Sequence, residues 1–584
     1  MSTPFRFSHR PNRAADISWR EWGEAAFAEA ASLDRLVLLY LTAVWCHWCH
    51  RMDETTWSDP GVAQRLNRDF VAIRVDADRL PHVQDRYIAG GWPTTAFLTP
   101  TGEVLWAGTY TEPAQLLALA DGVLRAWRER RGELETEMER RRRSVEAQRA
   151  RQRSAGLVRR EAADDVLTAV CDGFDARNGG VGPGPKFPQP EVVELLYLNA
   201  PGGDPALAEM ADRTLDGMLA GELLDPVDGG FFRYALAADW TDPRREKLLD
   251  VNAGLLAAYA LGASVRGRAD WSEIAAGIVA WVQRTLARPD GLWGGSQAAD
   301  ETYFTAPAKG RSAQPAPPVD TTLYTSANAR WIAALAFAGG RLRLPEWSRR
   351  AERALEQLLG TMAAPGDLLH HYCDPAGSPE LPTLLLDVVE TARACLAVHQ
   401  ATGSTAALQH ARRLARAMEQ SFWAGEGGFF DRVRSDQDVG ALRYRDQPFE
   451  LNAQAARVLL DLASATAERG WRAHAERVLA TLSPHAGRWG AAGATFAIAV
   501  EEYFQPTMRT VIVGDPAAAT PLREAALALP LPGHRVWTMP QGGRLDALSF
   551  PAEPAPAAYV CTPRGRSPAI VAGGELQPAL ARLL

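Results

Sequence analysis

Two cysteines three positions apart form the most chemically informative pattern in this sequence of 584 residues. Cys46 and Cys49 lie within residues 45–50 (WCHWCH), directly after the apolar run 35–45. If the run is a strand and a helix follows it, Cys46 lies at the helix N-terminus, where the dipole and the free amide groups stabilise a thiolate. Cys49, one turn along, can resolve a mixed disulfide. The spacing therefore predicts thiol–disulfide exchange in which Cys46 attacks and Cys49 resolves.

Three other interpretations of residues 45–50 stay open. Cys46, Cys49 and His50 fit the C-x-x-C-H pattern of covalent haem attachment, which requires export and a distal ligand. Alternating cysteine and histidine also suit Zn²⁺, although four ligands within five residues cannot easily surround one tetrahedral ion. The third alternative is a structural domain that keeps the motif without turnover. We expect no metal ion and no cofactor.

The segments around the pair predict the elements that position it. The run 35–45 predicts a buried strand, and residues 51–67 predict a helix that is broken near residues 59–60. A second strand is expected over 70–76. Pro93 precedes the apolar segment 96–98, and the turn 101–103 leads into 104–106. This order predicts an α/β domain.

By residue pattern, 35–110 resembles thioredoxin. The matching pieces are 41–46 (LTAVWC), 75–78 (VDAD), 91–94 (GWPT) and 102–104 (GEV). The resemblance implies that Pro93 is a cis-proline that packs against the disulfide and leaves backbone groups free to bind a substrate chain. Thioredoxin keeps a buried acid six residues before the first cysteine, where this chain has Tyr40. His47 or His50 can substitute in proton transfer, because both lie beside the pair and can titrate near neutrality; the alternative for both is a surface or helix-capping role.

Length and composition limit the remaining possibilities. The length predicts three or four domains, and 47% hydrophobic with 23% charged residues is ordinary for a globular protein. The net charge of −7 implies no general attraction to nucleic acid. No apolar run approaches ~18 residues, and residues 1–30 lack the apolar segment of a signal peptide. Because the four other cysteines are scattered, we expect no disulfide framework and a cytoplasmic protein.

From residue 157 to 504 the sequence changes to paired helical stretches rich in Ala, Leu and Arg. Six Gly-rich segments, most with aromatic residues, alternate with them: 179–180, 229–232, 291–295, 366–371, 427–430 and 487–490. Repetition of this kind indicates stacked supersecondary units. We expect six helical hairpins closed into an (α/α)6 toroid, with a pocket where the turns converge. The alternative is an open helical array without a pocket.

The predicted fold is therefore multidomain. Residues 1–130 are assigned to an N-terminal α/β thioredoxin-like domain with an N-terminal extension, and 131–156 to a charged connecting helix. Residues 157–504 are assigned to the central all-α toroid, and 505–584 to a small C-terminal α/β unit. Glutamates interleave the run of four arginines at 140–143, which favours a solvated helix over a nucleic-acid patch.

Nearly the full length of the chain resembles the thioredoxin-domain family that includes the spermatogenesis-associated thioredoxin-like proteins and many bacterial relatives. The motifs that carry the resemblance are 19–24 (WREWGE), 45–50 (WCHWCH), 90–93 (GGWP) with 97–100 (FLTP), 108–110 (GTY), 185–188 (PKFP), 229–234 (GGFFRY) with Trp240, 246–248 (EKL) and 558–561 (AYVC). The resemblance implies a thioredoxin-like domain followed by a six-hairpin toroid similar to those of sugar epimerases and glycosidases. The family usually has Pro-His-Phe-Glu-Lys where this chain has 243–247 (PRREK), so a pocket histidine is missing.

The predicted toroid holds two groups of candidate residues. A glycosidase needs two carboxylates across a sugar, and the acidic residues near the turns are Asp225, Asp228, Asp239, Glu246, Asp387 and Asp431. Each of these also suits a turn or a helix cap, and the neighbouring His370 and His371 are expected to be exposed and incidental. Aromatic rings with a few polar groups suit a sugar or peptide ligand, and this predicted pocket comprises Lys186, Phe187, Asp228, Arg233, Tyr234, Trp240, Glu246 and Lys247. The alternative is that these residues only join adjacent hairpins.

Taken together, the residues predict a thiol–disulfide oxidoreductase with a protein or small-molecule disulfide as substrate. Tyr40, Trp45 and Trp48 line the pair, His47 tunes the thiolate and Pro93 shapes the substrate groove. The toroid is expected to recognise a substrate, a partner or a sugar-like ligand, and no nucleic acid or membrane. One alternative is a carbohydrate-binding or carbohydrate-acting toroid with the thioredoxin unit as an accessory. The other is a non-enzymatic interaction protein.

Overall fold

A computed structural model describes residues 5–152, 156–201, 204–468, 470–505, 508–545, 548–550, 556–562 and 565–583. The chain divides into two compact units. The first comprises residues 1–151, 297–320 and 432–446, and the second comprises 152–296, 321–431 and 447–584. None of the described helices is long and apolar enough to cross a membrane.

The first unit is built on a four-stranded sheet. Its strands are β1 (Leu36–Thr42), β2 (Phe70–Asp76), β3 (Thr94–Leu98) and β4 (Val104–Gly108), in the order β2-β1-β3-β4. β1 pairs with β2 in parallel and with β3 antiparallel, and all seven residues of β1 are buried. Because both faces of β1 are covered, its sequence is a continuous apolar run instead of an alternating one.

Five helices surround this sheet: α1 (Glu24–Ser32), α2 (His47–Glu54), α3 (Pro60–Asp69), α4 (Pro81–Tyr87) and α5 (Pro113–Gln152). The predicted break near residues 59–60 separates α2 from α3, and Asp59 caps α3 by accepting the Val62 amide at 2.9 Å. α5 begins at Pro113 and includes the predicted connecting helix as far as Gln152, with Arg130 in a non-helical conformation; residues 153–155 of that predicted helix lie outside the described residues. Arg141 and Arg143 pair with glutamates four residues earlier, as expected for a solvated helix.

The predicted boundaries did not include residues 297–320 and 432–446 in the first unit. Val439 and Leu442 belong to the same buried cluster as Phe27 of α1. Tyr87 holds this segment, since its hydroxyl donates to the Gly102 carbonyl at 2.9 Å and accepts the Ala441 amide at 2.8 Å. The segment is separated from the sheet by hundreds of residues in sequence, so local periodicity could not assign it.

The second unit contains a closed ring of six inner helices. They are α7 (Pro190–Asn199), α9 (Leu249–Arg266), α11 (Thr325–Arg341), α13 (Leu385–Thr402), α15 (Phe449–Ala465) and α17 (Ala494–Phe504), each in contact with the next, and α17 contacts α7. The outer helices that pack against the ring are α6 (Glu161–Asp172), α8 (Ala206–Ala220), α10 (Ala269–Thr285), α12 (Pro345–Met362), α14 (Thr405–Phe422) and α16 (Gly470–Leu482). This closure confirms the predicted (α/α)6 toroid and excludes the open array.

An asparagine repeated at the start of three inner helices ties each helix to the Gly-rich turn before it. Asn252 accepts the Phe231 amide at 2.8 Å and donates to the Phe231 carbonyl at 3.0 Å. Asn328 makes the same pair of bonds with Trp293, and Asn452 with Phe429. All three asparagines are fully buried. The aromatic turns thus dock on the inner helices because one amide side chain satisfies both backbone groups of the aromatic residue.

A small α/β unit follows the ring within the second unit. Its strands β5 (Arg509–Val513), β6 (Arg535–Met539), β7 (Ala557–Thr562) and β8 (Gly565–Arg566) lie in the order β6-β5-β7-β8, with helices α18 (Thr520–Leu527) and α19 (Leu576–Leu583). The sequence predicted an α/β unit over 505–584, and the described residues of this part of the chain form one.

Candidate active site

The strand β1 and the helix α2 position the two cysteines. After β1 the chain turns, with the Cys46 amide donating to the Ala43 carbonyl at 3.1 Å, and α2 begins at the next residue. Cys46 is the N-cap of α2, and its Sγ accepts the Cys49 amide at 3.2 Å. Both cysteines are buried, with 2% and 0% of their surface exposed. A sulfur atom that accepts an amide at a helix N-terminus is in the environment that favours a thiolate.

Aromatic residues surround the pair. The Trp45 indole donates to Asp78 Oδ2 at 2.8 Å and packs edge-on to Trp92 at 5.4 Å. The peptide bond between Trp92 and Pro93 is cis, as the resemblance to thioredoxin implied. Trp48 is 38% exposed and lies 5.1 Å from the Tyr110 ring, so it presents an apolar surface next to Cys46.

The segment 297–320 of the first unit also reaches the motif. The Ala299 amide donates to the Trp45 carbonyl at 3.2 Å, one residue before Cys46. Asp300 lies 3.4 Å from Arg10 and caps a short helix, Glu301–Thr305, by accepting the Tyr303 amide at 3.0 Å. The redox motif is therefore bordered by chain that is far away in sequence.

The two histidines of the motif differ in their surroundings. Burial, together with the neighbouring His9, lowers the pKa of His50 to about 4. The His9 ring meets the His50 ring edge-on at 5.3 Å. Burial disfavours the charged form of His50, so the structure does not favour titration of this residue near neutrality. His47 is partly exposed and lies edge-on to Trp48 at 5.4 Å.

Asp53 and Arg74 form a buried ion pair near the cysteines, and the motif spacing alone did not predict it. Asp53 pairs with Arg74 through two hydrogen bonds of 2.8 and 2.9 Å, and both side chains are at most 2% exposed. Asp53 also accepts the Ser8 amide at 2.9 Å. Tyr40, which stands where thioredoxin has its acid, donates to the Cys49 carbonyl at 3.3 Å. The available signal was Arg74 itself, a charge inside the apolar strand 70–76 that demands a buried partner.

The second unit brings four of the eight predicted toroid residues together. Phe187, half exposed, stacks on Tyr234 with ring centroids 4.4 Å apart. The Arg233 guanidinium lies 4.7 Å from the Tyr234 ring and 3.2 Å from Glu246 Oε1. Glu246 Oε2 is buried and has no hydrogen-bond partner among the described residues. These four side chains form one cluster of two aromatic rings and an ion pair.

The other four predicted toroid residues have structural surroundings. Lys186 and Lys247 are fully buried, where Lys186 binds Asp175 and Gly179 and Lys247 binds Asp225 and Gly229. Their ammonium groups bind the Gly-rich turns, which is a structural role. Trp240 is likewise buried and donates to the Asn178 carbonyl at 3.0 Å, and Asp228 uses its backbone carbonyl to accept from Arg284.

A histidine–aspartate pair lies at the start of two inner helices. His371 Nδ1 is 3.0 Å from both carboxylate oxygens of Asp387, which also accepts the Ser326 amide at 3.1 Å. Burial raises the pKa of Asp387, with His371 opposing the rise. His371 is only 2% exposed, so the expectation of an exposed, incidental histidine is wrong. Among the described residues, no group of three or more His, Cys, Asp or Glu side chains is arranged to hold a metal ion.

Comparison with known proteins identifies the N-terminal region. Residues 3–146 match the family model Thioredox_DsbH, which is described as a protein of unknown function, DUF255. This region is thioredoxin-like. The predicted resemblance to the family of spermatogenesis-associated proteins is confirmed, since the chain is 28% identical over 325 residues to human Spermatogenesis-associated protein 20. The match covers 51% of this chain, which spans only 40% of that relative's length.

Two further similarities cover different shares of the chain. Thioredoxin-1 of Drosophila melanogaster is 33% identical over 70 residues, which are 12% of this chain and 62% of that protein. Cellobiose 2-epimerase from Bacillus thermoamylovorans superposes with a TM-score of 0.46 at 10% identity, covering 55% of this chain and 85% of the epimerase.

Proposed function

We propose that this protein is a thiol–disulfide oxidoreductase whose reacting groups are Cys46 and Cys49. The observation that supports the proposal is the position of Cys46 at the N-cap of α2, where its sulfur accepts the Cys49 amide. A thiolate in this position gains from the amide and from the positive end of the helix dipole. The cytoplasm is the proposed compartment, where thiols are kept reduced.

The proposed reaction transfers two electrons to a substrate disulfide. The Cys46 thiolate attacks one substrate sulfur and forms a mixed disulfide with it, which breaks the substrate S–S bond and releases the first substrate thiolate, protonated by solvent. Cys49 then loses its proton and attacks Cys46 Sγ, which releases the second substrate thiolate and leaves a Cys46–Cys49 disulfide. A dithiol reductant returns the pair to its reduced form. In the proposed complex the Trp92–Pro93 segment and exposed Trp48 contact the substrate.

A turnover assay tests this proposal directly. Reduction of a small-molecule test disulfide in the presence of excess dithiol is compared between wild type, Cys46→Ala and Cys171→Ser. Cys171 is an exposed cysteine outside the motif, so its variant controls for the loss of a thiol. We expect Cys46→Ala to lose the activity and Cys171→Ser to keep it. Equal rates for wild type and Cys46→Ala would refute the assignment.

Charged side chains of three successive inner helices favour a second candidate function, binding of a polyhydroxylated ligand such as a carbohydrate. Arg330 of α11 donates to Glu390 of α13 at 2.9 Å and lies 3.9 Å from Asp250 of α9. Arg330 and Asp250 keep 36% and 40% of their side-chain surface exposed. Alternating carboxylates and guanidinium groups can bind sugar hydroxyls as acceptors and donors.

Saccharide binding tests the second candidate. Calorimetric titration with a panel of mono- and disaccharides compares wild type with Arg330→Met and Asp250→Asn. The exposed surface variant Arg349→Met, outside the group, serves as a control. We expect that at least one saccharide binds wild type and binds Arg330→Met about tenfold or more weakly. This expectation holds whether the second site variant loses the same affinity or keeps it. Full retention of saccharide binding by both site variants, or no saccharide binding by wild type, would count against this function.

A further inference from the structure

The buried group beneath the redox pair consists of Tyr40, Asp53 and Arg74. Tyr40 and Arg74 are register partners on the parallel strands β1 and β2, so their side chains share one face of the sheet. The Arg74 guanidinium carbon lies 5.1 Å from the Tyr40 ring. Asp53 reaches the same point from α2 and binds Arg74 through both carboxylate oxygens. Sheet and helix therefore meet through a two-bond ion pair that is shielded from solvent.

The geometry places this group next to Cys49. Asp53 follows Cys49 by four residues on α2, and residues so spaced lie on one face of a helix. Tyr40 bridges from the other side, because its hydroxyl donates to the Cys49 carbonyl. Charges at such distances interact strongly when little water separates them. Burial, the largest influence, lowers the pKa of Arg74, and Asp53 raises it. The charge on Cys49 is a smaller influence that also raises this pKa.

Each member of the group has a fixed charge. Burial, reinforced by Cys49 and Asp53, raises the pKa of Tyr40 well above its ordinary value, so the phenol stays neutral and cannot act as a base. Arg74 stays cationic, since guanidinium groups are not deprotonated in proteins. Its second terminal nitrogen also donates to the Arg6 carbonyl at 2.7 Å. The pair of Asp53 and Arg74 thus presents one negative and one positive charge with no net charge.

This inference rests on the proposed oxidoreductase function. We propose that Asp53 and Arg74 are positioning residues whose balanced charges set the thiolate content and the reduction potential of the Cys46–Cys49 pair. A thiolate exists only in the reduced pair, because the disulfide carries no charge. A net positive charge beneath Cys49 would therefore stabilise the reduced form, and a net negative charge would stabilise the oxidised form. Because the charges of Asp53 and Arg74 balance, the reduction potential of the cysteine pair lies between the values expected for a net positive and a net negative charge.

Single substitutions of the two residues give opposite signs. Asp53→Asn leaves Arg74 unbalanced, so we expect a lower thiol pKa and an equilibrium constant with glutathione shifted about tenfold or more toward the reduced pair. Arg74→Gln leaves the Asp53 carboxylate unbalanced, and we expect a higher thiol pKa and a shift of similar size toward the disulfide. The double variant Asp53→Asn/Arg74→Gln removes both charges, and we expect values close to those of wild type.

The experiment uses the full chain and two readouts. The rate of iodoacetamide alkylation against pH, followed by mass spectrometry of the peptide containing Cys46 and Cys49, gives the thiol pKa. Redox equilibration with glutathione gives the equilibrium constant. The control is the partly exposed ion pair of Arg20 and Glu29, 2.7 Å apart in the same unit. Arg20→Gln and Glu29→Gln are expected to leave both readouts unchanged.

The outcomes separate this inference from the proposed function. A wild-type pair that forms no reversible disulfide overturns the oxidoreductase function, and this inference with it. Reversible wild-type chemistry with shifts of the same sign, or no shifts, in the two single variants overturns this inference alone. If one single variant does not fold, the other keeps the sign test against the double variant. If neither folds while the double variant folds with wild-type thiol chemistry, the pair is purely structural and the inference is overturned.

Discussion

Replacing Lys247 tests whether the buried lysines of the toroid serve its structure or a ligand. Lys247 Nζ lies 2.5 Å from Asp225 Oδ2 and 2.7 Å from the Gly229 carbonyl, and both side chains are fully buried. Removing one partner of a buried ion pair costs about 3–5 kcal/mol, because the remaining charge loses its counter-ion without regaining water. Domains have a free energy of unfolding of only about 5–15 kcal/mol. We therefore expect Lys247→Met to reduce the free energy of unfolding of the second unit by a large fraction.

Equilibrium denaturation in urea, followed by circular dichroism and tryptophan fluorescence, measures this loss. The Trp281 ring lies 5.3 Å from the Lys247 ammonium group, so this residue is one of the 18 tryptophans that contribute to the fluorescence signal. Lys186→Met is the matched comparison and should cost less, because the carboxylate of its partner Asp175 is 17% exposed. Lys247→Met combined with Asp225→Leu should recover part of the loss, as expected for coupled residues. An unchanged denaturation midpoint in Lys247→Met would refute the structural role.

Three further predictions concern buried polar side chains. Tyr40→Phe removes one buried hydrogen bond and should cost about 0.5–1.5 kcal/mol in denaturation, with an unchanged pH profile of thiol alkylation. Asn452→Ala removes both hydrogen bonds to Phe429 and leaves the backbone groups of Phe429 buried without these partners. We expect the free energy of unfolding to fall by about 2–4 kcal/mol and hydrogen exchange at the Phe429 amide to accelerate. Burial lowers the pKa of His50 and His399 to about 4, below the ordinary value of about 6.5, so the unfolded chain binds extra protons between these values. The free energy of unfolding should therefore fall as the pH drops from about 6.5 to 4, and His399→Gln should make that fall shallower; a slope that is the same in this variant would contradict the assignment.

Patterns with a short period predicted most of the fold. The apolar run before Cys46 became β1 and the motif became the start of α2, because a buried strand and a helix N-terminus both leave local signals. The repeated Gly-rich turns predicted the helical hairpins. Their closure into a ring follows from repetition, since each hairpin buries its apolar face only against its neighbours.

Contacts between residues far apart in sequence could not be predicted in this way. Tyr87 accepts the amide of Ala441. Close by, a Cβ atom on Gly102 would lie 2.4 Å from the Gly440 Cα, so the two backbones approach each other where only glycine fits. Neither strand periodicity nor turn composition reports such a contact. The two segments that join the first unit were therefore assigned to the toroid, which they interrupt in sequence.

Spacing alone selects Cys46 and Cys49 as candidate nucleophiles, but it does not indicate the charges near them. Thioredoxin has a buried acid where this chain has Tyr40. Here a buried acid comes from Asp53, and it is balanced by Arg74 from a strand that is otherwise apolar. Sequence spacing shows which residues share a helix face, but it does not show which strand residue faces that helix.

Redox titration of the wild-type chain, with mass-spectrometric trapping of Cys46 and Cys49, tests whether the two cysteines form a working redox pair. We expect a reversible Cys46–Cys49 disulfide with a reduction potential between about −270 and −120 mV, the range of working oxidoreductases. We also expect a Cys46 thiol pKa below the ordinary value of about 8.5. A pair that never closes, or a Cys46 thiol that titrates near its ordinary value, would contradict the proposed oxidoreductase function.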